Sequence, residues 1–414
     1  MPKRLICSLL VFFSVGSLLA DNLKEDRRRA ENILNQISKD VHDNFYDPNL
    51  KGLDWEALTE EARERIRKAS GTGQMYGAIS ALLFQLHDSH TSFIPPQRGL
   101  RADYGFKAKP FGQQILVYEI DPSGPAAKAG LEKGDQIVGV NNLNTARPTF
   151  GAMMRYMTFI DPREELDLEI QNDSSSRIIK IPAKLVPLTR EMLEKEVDNE
   201  IRHPYSVREY GDGIVYVDLK TFAVPESEIK GMMKRTRAAK AVVLDLRGNR
   251  GGLGDTMVEF MNQVSLQPYE IGRNVTRDKS FPLRVKPESS RISCPLFVLI
   301  DSRTASASEM AARSLQIHKR ALIIGDRSSG SVEGAHFFWR LISFGDLIYY
   351  GTEIAFSKFV LENGEELENR GVTPDEMCVP TINDLKTDKD PCLDRALALA
   401  QSAAGLPNST NSSK

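Results

Sequence analysis

Four short apolar runs alternate with helical stretches in the C-terminal half of this 414-residue chain, and this alternation constrains the fold most. The runs occupy residues 213–219, 241–246, 295–300 and 321–325, and helical patterns occupy residues 226–239 and 306–316. A strand that is apolar on both faces has to be covered on both faces. The pattern therefore predicts an α/β sheet flanked by helices. A chain of this length is expected to form two or three domains.

The preceding residues have two other patterns. Residues 22–96 are helical in pattern, with helices predicted at 54–66 and 74–86, an acidic N-cap at Asp54 and a proline pair that closes the segment. Residues 102–187 contain short alternating apolar runs, including 114–120 and 136–140, separated by Gly, Pro and Asn. This second segment is therefore expected to form a small β-rich domain.

The first twenty residues have the pattern of a secretory signal. Lys3 and Arg4 precede an apolar run at 5–19, and Ala20 is a plausible cleavage residue. The run is short for a bilayer span, which needs about 20 residues, so a cleaved signal is favoured over the alternative of an uncleaved membrane anchor. Export would leave three cysteines, of which Cys378 and Cys392 could form a disulfide.

Composition excludes some classes of function. The chain has 54 basic and 56 acidic residues, and a net charge of −2 does not favour a nucleic-acid surface or a polybasic membrane patch. No cysteine pair has zinc-site spacing, so we expect no metal and no cofactor. The polar residues 401–414 are expected to be a disordered tail.

The chemistry is indicated by a serine with small neighbours and a glycine-rich turn. Ser306 lies within Thr304-Ala-Ser-Ala-Ser-Glu309, and the turn spans residues 248–254. A nucleophilic serine needs small neighbours for access and backbone N–H groups aimed at the oxyanion, which glycines make possible. The turn lacks the Gly-Lys-Ser/Thr ending of a phosphate-binding loop, so a nucleotide site is not expected.

These motifs resemble those of the C-terminal processing (tail-specific) and tricorn core serine peptidases. The stretch 122–141 in turn resembles a PDZ domain, with Tyr104, Gly105 and Phe106 where such a domain has its peptide-binding loop. The sequence patterns and the resemblance together imply a multi-domain fold in five segments. These are a signal peptide (1–20), an N-terminal helical domain (21–98), a PDZ-like β-rich domain (99–190), an α/β crotonase-like catalytic core of β-β-α spiral type (191–400) and the tail (401–414).

The sequence departs from the family's usual Ser–Lys pair. The resemblance makes Ser306 the nucleophile, with Ser308 as the alternative, and a lysine is expected some 25 residues further on. Counting without gaps puts Ser331 at that position, a two-residue shift puts Ser329 there, and no lysine occurs between Lys319 and Lys358. Arg327 cannot replace it, because a guanidinium does not release its proton at usable pH. Another base is required.

The tricorn-like branch of the family implies such a base. It pairs a distant serine with a Ser-His pair and a glutamate, which here match Ser89, His90 and Glu368, with Glu365 and Glu366 as alternatives. Histidine takes up a proton near neutral pH, and a serine and a glutamate would orient it. Among the other histidines we expect structural or solvated roles for His318 and His87, with His336 as a reserve base. The oxyanion would be held by the N–H groups of Gly252 (or Gly251) and Ala307.

The sequence thus predicts an exported, periplasmic or extracellular serine endopeptidase that works through an acyl-enzyme. Its expected partners are protein or peptide substrates recognised through their C-termini by the PDZ-like domain, with no nucleic acid and no stable membrane insertion. The chief alternative is a non-catalytic peptide-binding or chaperone-like relative that has lost the catalytic lysine. A serine hydrolase of small esters is a second alternative, although a peptide-capturing domain would then be idle.

Overall fold

The structure is a computed structural model that describes residues 5–96, 100–172, 175–187, 202–211, 213–343 and 348–405. The start of the predicted signal peptide and the end of the predicted tail, residues 406–414, lie outside these ranges, and the side chains of residues 5–21 are not described either. Within the described ranges, no helix combines the length and the apolar character needed to cross a membrane. Helices and strands are numbered below in chain order.

The N-terminal part is a three-helix unit, with α1 at Leu5–Asn44, α2 at Trp55–Lys68 and α3 at Thr72–Phe84. Asp54 caps α2 by accepting a hydrogen bond from the Ala57 N–H at 3.0 Å, as its position before the helix predicts. A short 3₁₀ turn, Leu50–Gly52, precedes α2. Leu34, Ile66 and Ile79 are fully buried in the core of this unit, so the helices are held mainly by burial of their apolar faces.

These helices cover a sheet that the sequence patterns did not predict. It consists of β1 (Ser92–Ile94), β13 (Tyr269–Val275), β14 (Ser280–Val285), β17 (Gly334–Ser343) and β18 (Ile348–Leu361). Strand β18 pairs with β1, β13 and β17, all antiparallel. The pairing of β1 with β18 joins residues 92–94 to residues 351–353, so it brings the residues that follow α3 to the catalytic core.

The β-rich part has the sheet order β3-β4-β5-β7-β8, with β6 beside β5 and a separate pair, β2-β9. The strands are β2 (Leu100–Asp103), β3 (Phe106–Phe111), β4 (Gln114–Ile120), β5 (Gln136–Val140), β6 (Leu143–Asn144), β7 (Glu165–Asn172), β8 (Ser175–Pro182) and β9 (Lys184–Pro187). The helices are α4 (Pro125–Lys128) and α5 (Phe150–Arg155), and α5 continues into a π turn, Tyr156–Ile160. Strands β4 and β5 match the predicted runs at 114–120 and 136–140.

The catalytic core is built on the predicted α/β sheet, whose order is β10-β11-β12-β15-β16-β19. All neighbours after the antiparallel pair β10-β11 are parallel. The strands are β10 (Tyr205–Tyr210), β11 (Ile214–Leu219), β12 (Ala241–Asp245), β15 (Leu296–Ile300), β16 (Ala321–Gly325) and β19 (Glu376–Met377). Four of them correspond to the apolar runs of the sequence.

Helices cover both faces of this sheet, and this confirms the predicted layering. The helices that cover it are α6 (Glu226–Lys234), α7 (Gly254–Val264), α8 (Ala307–Ile317) and α10 (Pro391–Ala403), whereas the short α9 (Ile382–Lys386) packs against the β-rich part through Leu385. Met232, Phe260 and Leu315 share one buried cluster with the sheet, whereas Ala396 and Ala400 of α10 belong to the cluster on its other face. A disulfide joins Cys378 to Cys392 in the first turn of α10, with an S–S distance of 2.14 Å, and Cys294 is a free thiol.

The β-rich part contacts the carboxyl ends of the parallel strands through ion pairs. Lys109 of β3 lies 2.5 Å from an oxygen of Asp301, which follows β15. Arg147 lies 2.9 Å from an oxygen of Asp326, which follows β16, and it also donates to the Arg327 carbonyl. These contacts place the β-rich part beside the two loops that carry Ser306 and the 326–332 segment.

Candidate active site

Ser306 lies at the junction between the loop after β15 and the first turn of α8, in a rare backbone conformation. Its φ of 55° and ψ of −126° fall in a region that costs a non-glycine residue on the order of 1–3 kcal/mol. Its N–H donates to the Ser331 carbonyl at 2.6 Å and lies 3.1 Å from Glu309 Oε2. A strained serine at a strand-to-helix junction is the arrangement expected of an exposed nucleophile.

The alternative nucleophile, Ser308, does not fit the geometry. It is fully buried on α8, and its hydroxyl has no hydrogen-bond partner in the described structure. A substrate carbonyl cannot readily reach a buried oxygen, so the geometry favours Ser306 over Ser308 as the nucleophile.

The glycine turn packs directly against Ser306. A Cβ atom on Gly251 would lie 2.7 Å from the Ser306 Cβ, and the Asn249 carbonyl accepts the N–H of Ala305 at 3.0 Å. Asp301 Oδ1 holds the other side of the turn by accepting the Gly248 N–H at 2.9 Å. Because only glycine allows such a close approach, the predicted turn and the predicted serine are adjacent parts of one site.

The three predicted oxyanion donors differ in availability. The Gly251 N–H is taken up by Asn249 Oδ1 at 2.8 Å. The N–H groups of Gly252 and Ala307 donate no hydrogen bond within the described part of the chain. Ala307 is the first residue of α8, where the N–H groups have no partner inside the helix. The geometry therefore favours Gly252 over Gly251 as the partner of Ala307.

Ser89, His90 and Glu368 form a hydrogen-bonded cluster. The Ser89 N–H donates to Glu368 Oε1 at 2.9 Å, and the Ser89 hydroxyl donates to Oε2 at 3.1 Å. The same hydroxyl lies 2.8 Å from His90 Nδ1. Because the hydroxyl has one proton, which Glu368 accepts, it accepts the Nδ1–H of the imidazole. This network leaves Nε2 with its lone pair, as a general base requires.

The two alternative glutamates lie in other contacts. Glu365 Oε2 is 2.7 Å from Arg313, and Glu366 Oε1 is 2.7 Å from Lys358. Each is already paired with a cation, whereas Glu368 contacts the Ser-His pair. The geometry thus favours Glu368 among the three.

A short segment connects this cluster to Ser306. The Ser331 carbonyl accepts the Ser306 N–H, and the next residue, Val332, donates its N–H to Glu368 Oε2 at 3.0 Å. The structure thus brings Ser306, Ser89 and Glu368 around one segment, with His90 beside Ser89. Among the described residues, no hydrogen bond joins the Ser306 hydroxyl to the His90 imidazole, and such bonds are often long before substrate binds.

Burial shifts the pKa values of the two titratable groups of the cluster, His90 and Glu368. Removal from water lowers the pKa of His90 below its ordinary value, so the imidazole is neutral at neutral pH. Burial raises the pKa of Glu368, and the nearby Asp88 raises it further, while hydrogen bonds from Val332 and Ser89 oppose the shift. A neutral histidine next to a hydrogen-bonded glutamate can take up a proton and have the resulting charge compensated.

The other histidines have contacts of their own. His318 Nε2 lies 2.6 Å from a Glu362 oxygen, and its ring stacks on Tyr269 with centroids 3.6 Å apart. His336 stacks on Phe356 at 4.0 Å, and His87 packs edge-on against Phe84. These contacts give no support to a catalytic role for the reserve base His336.

The predicted peptide-binding loop has a different geometry at each residue. The Tyr104 side chain is buried and its hydroxyl donates to the Arg163 carbonyl at 2.8 Å. The Gly105 N–H donates to Asp103 Oδ1 at 3.0 Å, and Phe106 begins β3, the terminal strand of its sheet. The terminal position of β3 is what strand addition by a peptide requires.

Two polar residues of the site were not singled out from the sequence. Asn249 is fully buried and joins the glycine turn to the Leu219 carbonyl through its Nδ2 atom at 3.0 Å. Glu309 accepts the Ser306 N–H through Oε2 at 3.1 Å. An acidic residue three positions after a serine, at the start of a helix, is a recognisable sequence signal for such a contact.

Comparisons with known sequences agree with this geometry. Residues 213–378 match the description Peptidase family S41, residues 26–75 match the Tricorn protease C1 domain, and residues 116–150 match a PDZ domain. The fold and the site together define a serine-type peptidase that carries a PDZ domain. The part of the chain that holds Ser306 and the glycine turn, residues 213–378, is thus similar to peptidase family S41, and the curated relatives are carboxyl-terminal-processing proteases. The findings give no support to the non-catalytic alternative.

Individual relatives cover most of the chain at low identity. The carboxyl-terminal-processing peptidase 1 of Arabidopsis thaliana chloroplasts is 25% identical over 343 residues, which is 76% of this chain and 64% of the plant protein. The carboxyl-terminal-processing protease of Picosynechococcus is 24% identical, covering 91% of this chain and 90% of the other. The solved structure of mature CPAF complexed with lactacystin covers 92% of this chain and 99% of that chain, with 14% identity and a TM-score of 0.69. This structural likeness shows the shared fold.

Proposed function

We propose that this chain is an exported endopeptidase that cleaves protein substrates captured through their C-termini, with Ser306 as nucleophile and His90 as general base. The observation that carries the proposal is the cluster in which the Ser89 hydroxyl links His90 to Glu368. Glu368 also accepts the N–H of Val332, and the residue before Val332, Ser331, accepts the N–H of Ser306. The cluster supplies an oriented base in a sequence that lacks the usual lysine.

The reaction follows from these contacts. Ser306 Oγ attacks the scissile carbonyl carbon and transfers its proton to His90 Nε2, and Ser89 and Glu368 stabilise the imidazolium. The carbonyl oxygen becomes an anion that accepts hydrogen bonds from Gly252 and Ala307. When the C–N bond breaks, His90 returns the proton to the leaving amine. A water molecule then attacks the acyl carbon and gives a proton to His90, and His90 returns this proton to Ser306 Oγ as the ester bond breaks and the acid product leaves.

Substrate capture and export rest on other features. Strand β3 is terminal in the PDZ sheet, so a peptide can add to it as a strand, and the names of the relatives describe carboxyl-terminal processing. Export is supported by the basic start and apolar run of residues 3–19 and by the Cys378–Cys392 disulfide, which suits an oxidising compartment.

Covalent labelling with a fluorophosphonate probe tests the nucleophile. We expect the wild-type chain to gain one adduct by intact mass and Ser306→Ala to gain none, because the probe reacts only with an activated serine. Ser308→Ala is the matched control. It removes a buried hydroxyl that has no partner, so it should label like wild type. An unlabelled wild type with intact fold, or a label that persists in Ser306→Ala, contradicts the proposal.

Peptide binding tests the role of the PDZ domain. We expect the Ser306→Ala variant to bind peptides with an apolar C-terminal residue and to lose most of that affinity when the peptide carboxylate is amidated, since amidation removes the charge that backbone N–H groups would hold. Fluorescence anisotropy with the matched acid and amide peptides measures the difference. Equal affinity for both forms would exclude C-terminal recognition by this domain.

A further inference from the structure

Glu309 is a fully buried glutamate in the first turn of α8, and both of its carboxylate oxygens are fully engaged. Oε1 accepts the Ser328 hydroxyl at 2.5 Å and the Gly330 N–H at 2.7 Å. Oε2 accepts the Ser331 N–H at 2.8 Å and the Ser306 N–H at 3.1 Å. Every neighbour is a donor, so the site is built for a carboxylate rather than for a carboxylic acid or an amide.

The partners of Glu309 belong to two different loops. Ser306 ends the loop after β15, and the other three donors belong to the segment 328–331 after β16. Burial raises the pKa of Glu309 to about 7, and the four hydrogen bonds oppose that shift. In the described structure no lysine, arginine or histidine forms an ion pair with Glu309, so these hydrogen bonds are what favours its charged form. One side chain thus joins the nucleophile loop to the segment whose next residue, Val332, contacts Glu368.

The contact lies where the backbone is strained. Ser306 keeps its positive φ while its N–H is directed at both Glu309 Oε2 and the Ser331 carbonyl, and its own carbonyl accepts the Glu309 N–H at 2.8 Å. A strained residue persists only where its surroundings fix it. Without the carboxylate, the Ser306 peptide can relax and carry the neighbouring Ala307 N–H away from the oxyanion position.

We propose that Glu309 is a positioning residue for the peptidase reaction: its carboxylate holds Ser306 in the strained conformation and fixes segment 328–331 against it. This inference rests on the proposed role of Ser306 as nucleophile. Glu309 acts through the backbone of Ser306 and the 328–331 segment, whereas His90 and Glu368 act in proton transfer.

Glu309→Gln tests the inference because it keeps the shape and removes the charge. Whichever way the amide is turned, its NH₂ group faces at least one N–H donor, so a hydrogen bond is lost between the two loops. We expect kcat to fall by about 10²-fold, the effect of small misplacements of reacting groups, with KM changed by less than about threefold. The rate of fluorophosphonate labelling should fall in parallel with kcat.

Glu259→Gln is the matched control, since Glu259 is a buried glutamate on the neighbouring helix α7 that accepts from Gln263 at 2.8 Å. It should leave kcat close to the wild-type value whatever its effect on melting temperature. Ser328→Ala removes one donor from Glu309 and also the acceptor of the Val372 N–H, and it should lower kcat by at least roughly fivefold, the effect of one hydrogen bond. This variant serves if Glu309→Gln does not fold.

The outcomes separate the two proposals. If wild type is unlabelled, or Ser306→Ala still reacts, the proposed nucleophile fails and the inference about Glu309 fails with it. If wild type is labelled through Ser306 and folded Glu309→Gln keeps the wild-type kcat, the positioning role alone is refuted. An equal fall in kcat for Glu259→Gln would also refute it, because a general loss of core stability would then explain the effect. When Glu309→Gln does not fold, wild-type kcat in Ser328→Ala refutes it.

Discussion

Replacing His90 with alanine is expected to lower kcat/KM by about 10⁴-fold, near the upper end of what general acid–base catalysis contributes. The reason is that the Ser306 hydroxyl has no other group to take its proton, since the sequence has no lysine between Lys319 and Lys358. Steady-state hydrolysis of an internally quenched peptide measures the change. Fluorophosphonate labelling of the same variant should fall in parallel.

Two substitutions serve as controls for His90→Ala. His336→Ala removes the histidine that stacks on Phe356, and Lys319→Ala removes a lysine just after α8. Both should retain activity within a few-fold of wild type, because neither group contacts the Ser89–Glu368 cluster. Comparable rates for wild type and His90→Ala would refute the tricorn-like assignment, and loss of activity in His336→Ala would move the base to that residue.

Gly252→Ala is expected to abolish measurable hydrolysis and to destabilise the fold. Gly252 has a φ of 142°, and a Cβ there would lie 2.1 Å from the Ala223 N and 2.3 Å from the Phe222 carbonyl carbon. The turn has to move to relieve this contact, and its N–H then leaves the oxyanion position, which costs about 2.7–4 kcal/mol of transition-state stabilisation for one donor. Hydrolysis and thermal unfolding should both be measured.

Gly254→Ala is the matched control, because it makes the same substitution at a nearby glycine outside the proposed oxyanion site. Gly254 begins α7, has no positive φ, and a Cβ there meets no atom within 4 Å. Since alanine also favours a helix, this variant should match or slightly exceed wild-type stability and retain activity. Full activity in Gly252→Ala would contradict the proposed oxyanion site.

Local sequence patterns predicted the parts of the fold that are uniformly buried. Strands β12 and β15 contain only buried residues, so they appear in the sequence as unbroken apolar runs, and their bounds differ from the predicted ones by one residue. Strands β17 and β18 were missed because Phe337 and Trp339 are exposed, so apolar residues do not mark a buried face, and because β18 also pairs with β1 and β13, which are remote in sequence. Period and propensity carry no information about such distant partners.

The same limit applies to the candidate site. Ser306 and the glycine turn have local signals, because small residues and glycines are needed for reasons of space. The contact of Ser89 with Glu368 joins residues 279 positions apart, and only the family resemblance placed them together. Glu309 had a local signal in its spacing from Ser306, but the three donors from segment 328–331 follow from the tertiary fold alone.

The long span between Ser89 and Glu368 has a consequence for when the enzyme becomes able to act. The proposed base is on the first part of the chain and the nucleophile on the last, and strand β1 joins the C-terminal part of the chain by pairing with β18. During synthesis the histidine emerges some two hundred residues before the serine. A partly made or partly folded chain therefore lacks an assembled site. The proposed site is therefore complete only after residues 92–94 have paired with β18, which makes its assembly a late event in folding.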